Sequence, residues 1–345
     1  MKNIFSKRAA VDPADTLVPS PERSIRQGAD LSISDQLQEE ADQSLEKGIE
    51  LYQLHEYPRS IRHLSHALSL YGGLEDRKGQ AKALEGLGLC EYALRNYTES
   101  IRLSEECLTV ARHVGDRRIE RQALGTLGNA YRHLKDYETA IRYKHESLSV
   151  AREIQDHKGI AAALNNLGMV YKAIGDHQTA IEFYKQSLDV ARSLHDTPIE
   201  RQVLRNIGNA YHALGDYKQA IKFYKTLLNS TREFGDQRAE MHVLKTLGGA
   251  SYIIGHYGEA IQFQQQRLAI AQAIGDTKNE LHALENLGVI YDVLGDRENS
   301  IQCLEERLSV ARRVNDTLLE EKTIASLKTV LHSIGDYERA NRYGL

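Results

Sequence analysis

Apolar residues recur along the chain at two alternating helical stripes, and the pair of stripes itself repeats. In the stretch from Arg121 to Ile160, Leu124, Leu127, Gly128 and Tyr131 follow the i, i+3, i+4, i+7 spacing of one helix face. A break falls at Lys135-Asp136, and Ala140, Ile141, Leu148 and Ala151 mark the apolar face of a second helix. The same unit recurs at Leu87-Gly88…Tyr97, Leu127-Gly128…Tyr137, Leu167-Gly168…His177, Ile207-Gly208…Tyr217, Leu247-Gly248…Tyr257 and Leu287-Gly288…Arg297, in steps of 40 residues. Degenerate copies, Gly48…Tyr57 and Leu327-Lys328…Tyr337, stand at the two ends.

The breaks carry helix-ending and helix-starting chemistry. Gly175-Asp176, Gly215-Asp216, Gly295-Asp296 and Gly335-Asp336 pair a C-terminal glycine with an N-cap aspartate. Between units, aspartate recurs from Asp76 to Asp316, and Thr197 with Glu200, Thr277 with Glu280 and Thr317 with Glu320 have capping-box spacing. A glycine inside a helix costs roughly 1 kcal/mol against alanine. Its recurrence at position 8 of the unit, counting Arg121 as position 1, therefore predicts close packing there, opposite the small residue at position 20 (Ala140, Ala180, Ala220, Ala260).

The predicted fold is all-α: one solenoid over residues 36–345, built of about eight helix-turn-helix repeats. They run at about 41–80, 81–120, 121–160, 161–200, 201–240, 241–280, 281–320 and 321–345, the last one short. Residues 1–35 lack periodicity and hold three of the five prolines, so a disordered leader is expected.

Composition narrows the function classes. A net charge of -4 supplies no basic field for nucleic acid, and no apolar run is long enough for a secretory signal or a transmembrane helix. Three scattered cysteines, Cys90, Cys107 and Cys303, make no disulfide framework and fit a cytoplasmic location. His63 with His66 and His242 with His282 lack a third ligand at metal spacing, and no phosphate-loop, zincin or nucleophile-elbow motif is present. No catalytic residue, metal or cofactor is therefore expected.

The pattern L-G-x-x-Y…G-D-Y-x-x-A-I, as in Leu167-Gly168-Met169-Val170-Tyr171 and Gly215-Asp216-Tyr217…Ala220-Ile221, resembles the tetratricopeptide repeat (TPR). Its 40-residue period is similar to that of LGN/Pins adaptors, kinesin light chains and bacterial TPR arrays, some of which are fused to CHAT protease domains. Departures are Glu91 and Ser251 at the usual Tyr position and Lys328 at the Gly position. The resemblance implies a right-handed superhelix whose first helices line a concave groove for peptides or protein segments.

If the first helices line such a groove, positions 2, 6, 9 and 13 face the ligand and positions 5 and 12 flank it. Position 6 holds Thr126, Asn166, Asn206, Thr246 and Asn286; position 9 holds Asn129 and Asn209; Asn165 lies at position 5. Asparagine suits helix interiors poorly, while its amide both donates to and accepts from a peptide backbone. Arg132, Lys172, Arg205 and Lys245, with His133, His212 and His242, make the centre basic, and Glu85, Glu285 and Asp292 make the edges acidic. The expected activity is that of a non-catalytic scaffold or adaptor holding an acidic protein or peptide. A ligand-sensing regulator, and the regulatory half of an effector enzyme such as a CHAT-type protease, are the alternatives. The partner's identity and the oligomeric state are left open.

Overall fold

A computed structural model describes residues 33–343. The leader expected over 1–35 lies outside the described residues except for Ile33, Ser34 and Asp35, which open the first helix. Sixteen helices are seen among the described residues. They are α1 (Ile33–Gln53), α2 (Tyr57–Gly73), α3 (Arg77–Ala93), α4 (Tyr97–Val114), α5 (Arg117–His133), α6 (Tyr137–Glu153), α7 (His157–Ile174) and α8 (His177–Ser193). The series continues with α9 (Thr197–Ala213), α10 (Tyr217–Glu233), α11 (Gln237–Ile253), α12 (Tyr257–Ile274), α13 (Thr277–Val293), α14 (Arg297–Arg313), α15 (Thr317–Ser333) and α16 (Tyr337–Arg342). Each helix packs on the next in sequence, which is the arrangement of an α-solenoid.

Aspartate stops and starts this chain. Asp176 Oδ1 accepts from the Thr179 backbone N–H at 3.0 Å, and Gly175 before it takes the left-handed φ of 95° that ends α7. The junctions between repeats differ from expectation in one respect. The cap is the aspartate, with Asp196 accepting from Ile199 N, so Thr197 is already the first helical residue and the expected capping box does not form. Glu200 is used between helices instead: Arg192 Nε reaches it at 2.8 Å, and Arg112–Glu120, Arg232–Glu240 and Arg312–Glu320 repeat the bond.

The position-8 glycines have a double reason. In the outer copies, Ser60 Oγ donates to Gly48 O at 2.6 Å and Ser100 Oγ to Gly88 O at 2.8 Å, so the helices of a pair approach closely there. In the central copies the glycine also admits a side chain from the second helix. A Cβ on Gly168 would lie 2.5 Å from Tyr184 Cε1 and 3.0 Å from Ala180 O, and one on Gly208 would lie 2.4 Å from Tyr224 Cε1. Behind these rings, Tyr131–Tyr143, Tyr171–Phe183 and Tyr211–Phe223 stack at 5.6, 5.3 and 5.6 Å between centroids.

Successive first helices touch (α1 with α3, α3 with α5, α5 with α7, α7 with α9, α11 with α13), whereas successive second helices do not pack on one another comparably. Elements that crowd together lie on the inside of a bend, so the first helices form the inner face. Their mutual packing is densest between α3 and α5 and thins from α7 onward, weakest between α9 and α11 and between α13 and α15.

Candidate functional site

The inner face is built from the residues of α5, α7, α9, α11 and α13 that the core does not use. At position 5, Glu85 and Asn165 are buried where the first helices crowd, while Arg205, Lys245 and Glu285 stand exposed where they splay. Asn165 Oδ1 accepts from Asn206 Nδ2 at 2.8 Å, so these two amides bridge neighbouring repeats. Asn129 Oδ1 accepts from Lys144 Nζ, and Asn209 Oδ1 from the Tyr224 hydroxyl, at 2.6 and 2.7 Å. Asn166 and Asn286 are half-buried, and no side-chain hydrogen bond of theirs is seen among the described residues. The amides thus divide into supports (Asn129, Asn165, Asn206, Asn209) and uncommitted groups (Asn166, Asn286).

The supports were recognisable in sequence only as a stripe of asparagines. Asn129 and Asn209 hold side chains from position 24 on the second helix, Lys144 and Tyr224, which pass beneath the glycine as Tyr184 does in the copy between them. Lys144 is fully buried and also donates to Gly125 O at 2.6 Å. Burial, with the Arg132 guanidinium adding to it, holds its amine well below the ordinary lysine range. Tyr184 is fully buried with a hydroxyl that has no partner, because the residue matching Asn209 in its repeat is Met169.

The cations are open. Among the described residues Arg132, Lys172, Arg205 and Lys245 form no ion pair with a carboxylate. Arg132 Nη2 lies 2.9 Å from His133 Nε2, which in turn meets the Tyr92 hydroxyl at 3.0 Å. His212 packs edge-on against Tyr217 at 5.0 Å. Positive potential is registered by His242: burial first, then Arg205, Lys245 and Arg267, lower its pKa. The acidic groups at the edges are spoken for. Glu285 pairs with Arg307 at 3.2 Å and lies 3.6 Å from His282, while Asp292 pairs with Arg297. Glu85 is buried with one unpartnered oxygen, and burial, opposed by Arg121, pushes its carboxyl up to about 7. The carboxylates of the inner face are thus buried (Glu85) or ion-paired (Glu285, Asp292), while its central cations meet none.

Among the described residues no group of three or more His, Cys, Asp or Glu could hold a metal ion. No helix there is long and apolar enough to cross a membrane. An open cleft of about 470 Å³, lined in part by Leu281, His282, Glu285 and Arg307, lies at the start of α13.

Comparison with known proteins agrees with this architecture. Profiles described as tetratricopeptide repeat match residues 119–193 and 200–273, residues 45–106, and residues 283–318. No match was found among curated proteins. Of solved structures, a signal-transduction ATPase with numerous domains carrying a tetratricopeptide repeat sensor, from Pyrococcus horikoshii, is similar at TM-score 0.61 and 17% identity. That match covers 89% of this chain and 52% of the other, so the chain spans about half of that protein. A Rap protein complexed with Competence and Sporulation Factor gives TM-score 0.54 at 17% identity, covering 82% of this chain and 80% of that one. The C-terminal part of a TPR protein from Cytophaga hutchinsonii gives 0.57 at 13% identity, covering 77% and 95%. These likenesses establish the fold, and the repeat profiles, which together take in most of the sequence, establish that the chain belongs to the tetratricopeptide-repeat family.

Proposed function

We propose that this protein is a non-catalytic scaffold that holds an acidic peptide or protein segment along its inner face. The observation that carries the reading is the row Arg132, Lys172, Arg205 and Lys245, which meets no carboxylate of the chain itself. Cations left unpaired beside one another repel, and a ligand's carboxylates relieve that repulsion with charge-assisted hydrogen bonds. Asn166 and Asn286 supply uncommitted amides for the ligand backbone. The solved Rap protein with Competence and Sporulation Factor offers a precedent for this architecture with a bound factor.

The test is recovery of the tagged chain from its own cells beside an Arg205→Glu/Lys245→Glu variant. A protein that co-purifies with the parent, is lost from the variant and dissociates as salt rises is the expected result. A partner retained equally by both rejects the inner face as the binding surface. A ligand-sensing regulator is the second reading, favoured by the thin packing of the first helices from α9 to α15, which leaves that half room to close. Small-angle scattering that shows no compaction on adding the partner rejects it.

A further inference from the structure

Gly249 has no packing reason to be glycine. It lies well inside α11, where glycine is disfavoured by roughly 1 kcal/mol against alanine. Its neighbour Gly248 is accounted for, since a Cβ there would meet Gln264 Nε2 at 2.5 Å. A Cβ on Gly249 would meet nothing within 4 Å, and the residue is exposed on the inner face. The missing side chain leaves a recess in the helix surface.

Aliphatic side chains surround this recess. Ile253 is one turn further along α11, and Val289 and Val293 occupy the matching rows of α13, which packs beside it. They are 52%, 49% and 49% exposed, respectively. Single exposed aliphatics are ordinary on protein surfaces, but these three border one dent on two touching helices. In the three first helices before it, α5, α7 and α9, the same two rows are polar or small apart from Met169 (Asn129 and His133, Met169 and Ala173, Asn209 and Ala213), while further back Ile49 and Leu89 hold the first row in α1 and α3. On its other side the recess is flanked by Lys245, one turn earlier on α11, and by Arg205 on α9, both outside any ion pair.

We infer that the Gly249 recess receives one large aliphatic or aromatic side chain of the bound segment, with an acidic residue of that segment held next to it by Arg205 and Lys245. This rests on the proposed peptide-binding function and adds to it a sequence requirement for the ligand. Neighbouring first helices are spaced by about 8–10 Å, and an extended chain advances about 3.3 Å per residue. The acidic residue therefore lies about three positions from the apolar one.

A displayed library of random 12-residue peptides, selected on the full chain, tests this. The parent is expected to enrich peptides with a large apolar residue about three positions from Asp or Glu. Gly249→Leu, whose Cβ meets nothing within 4 Å, is expected to keep the acidic preference, lose the apolar one and bind the parent's peptides about tenfold more weakly. Enriched peptides without the apolar residue, or unchanged affinity on Gly249→Leu, overturn the recess. Failure of the underlying reading looks different: the acidic preference would then persist in Arg205→Glu/Lys245→Glu. A parent that enriches nothing above the display background overturns both. Gly249→Ala serves as the folding control, and its melting temperature should not fall below the parent's.

Discussion

The Tyr224 ring occupies the space that a side chain on Gly208 would need, and the hydroxyl at its end donates to Asn209, one residue along the same helix from that glycine. Three features of the repeat, glycine, aromatic and asparagine, are thereby parts of one contact. Adding a methyl at Gly208 or Gly168 sets two preferences against each other. Alanine favours the helix by about 1 kcal/mol, while a Cβ 2.4–2.5 Å from a ring carbon forces a buried tyrosine to move. Overpacking of this kind costs roughly 1–3 kcal/mol, so net destabilisation is expected for Gly168→Ala. Gly249→Ala, with open space at the same kind of backbone, should stabilise by about 0.5–1 kcal/mol. Urea denaturation of the two variants side by side checks both signs.

The asparagines should separate in the same assay. Asn129→Ala strands the buried Lys144 amine with one acceptor in place of two, and the expected loss is about 1–3 kcal/mol. Asn166→Ala removes no internal bond and should leave stability within about 0.5 kcal/mol of the parent. Equal losses for the two would contradict the division between supporting and uncommitted amides.

That division shows where the sequence stops being legible. Leu127, Gly128, Tyr131 and Asp136 announce a helix, a close contact and a cap because each signal is local and recurs every 40 residues. The task of Asn129 depends on which side chain crosses from the second helix beneath Gly128. That residue is serine in one copy, lysine in the next and tyrosine in two more (Ser104, Lys144, Tyr184, Tyr224), so no periodicity reveals it. The burial of Glu85, against the exposure of Arg205 at the same position, likewise depends on how far neighbouring first helices splay. Sequence does carry a faint mark of the recess, the pair Gly248-Gly249, but only the empty space around the second glycine distinguishes it from the first.

Glu85 yields a prediction in pH. Its folded pKa of about 7 lies above the usual glutamate value, so folding favours the protonated acid. The unfolded chain gives up this proton at lower pH, and stability therefore falls as pH rises from about 4.5 through 7. Glu85→Gln abolishes that penalty. Little change is expected at pH 4, and a gain on the order of 1–3 kcal/mol at pH 9. Denaturation curves of parent and variant at the two pH values decide it, and a variant less stable than the parent at pH 9 would refute the buried, unpaired state of the carboxyl.

His242 reports on the groove itself. Burial is the largest cause of its lowered pKa, and the charges that add to it come from Arg205, Lys245 and Arg267. In the free protein it should titrate below 6.5, assigned by NMR from the signal that disappears in His242→Gln. Carboxylates that settle on Arg205 and Lys245 offset two of those charges, so an acidic peptide should move the titration upward. A pKa that rises on binding means that binding takes up protons. Affinity should therefore grow as pH falls through the range between the bound and the free pKa of His242, while the ligand's own carboxylates stay ionised. Most of that dependence should vanish in His242→Gln. The Arg205→Glu/Lys245→Glu variant makes the opposite electrostatic change without ligand and should raise the His242 pKa by itself. An imidazole that titrates unchanged in both experiments would place the bound carboxylates away from α9 and α11.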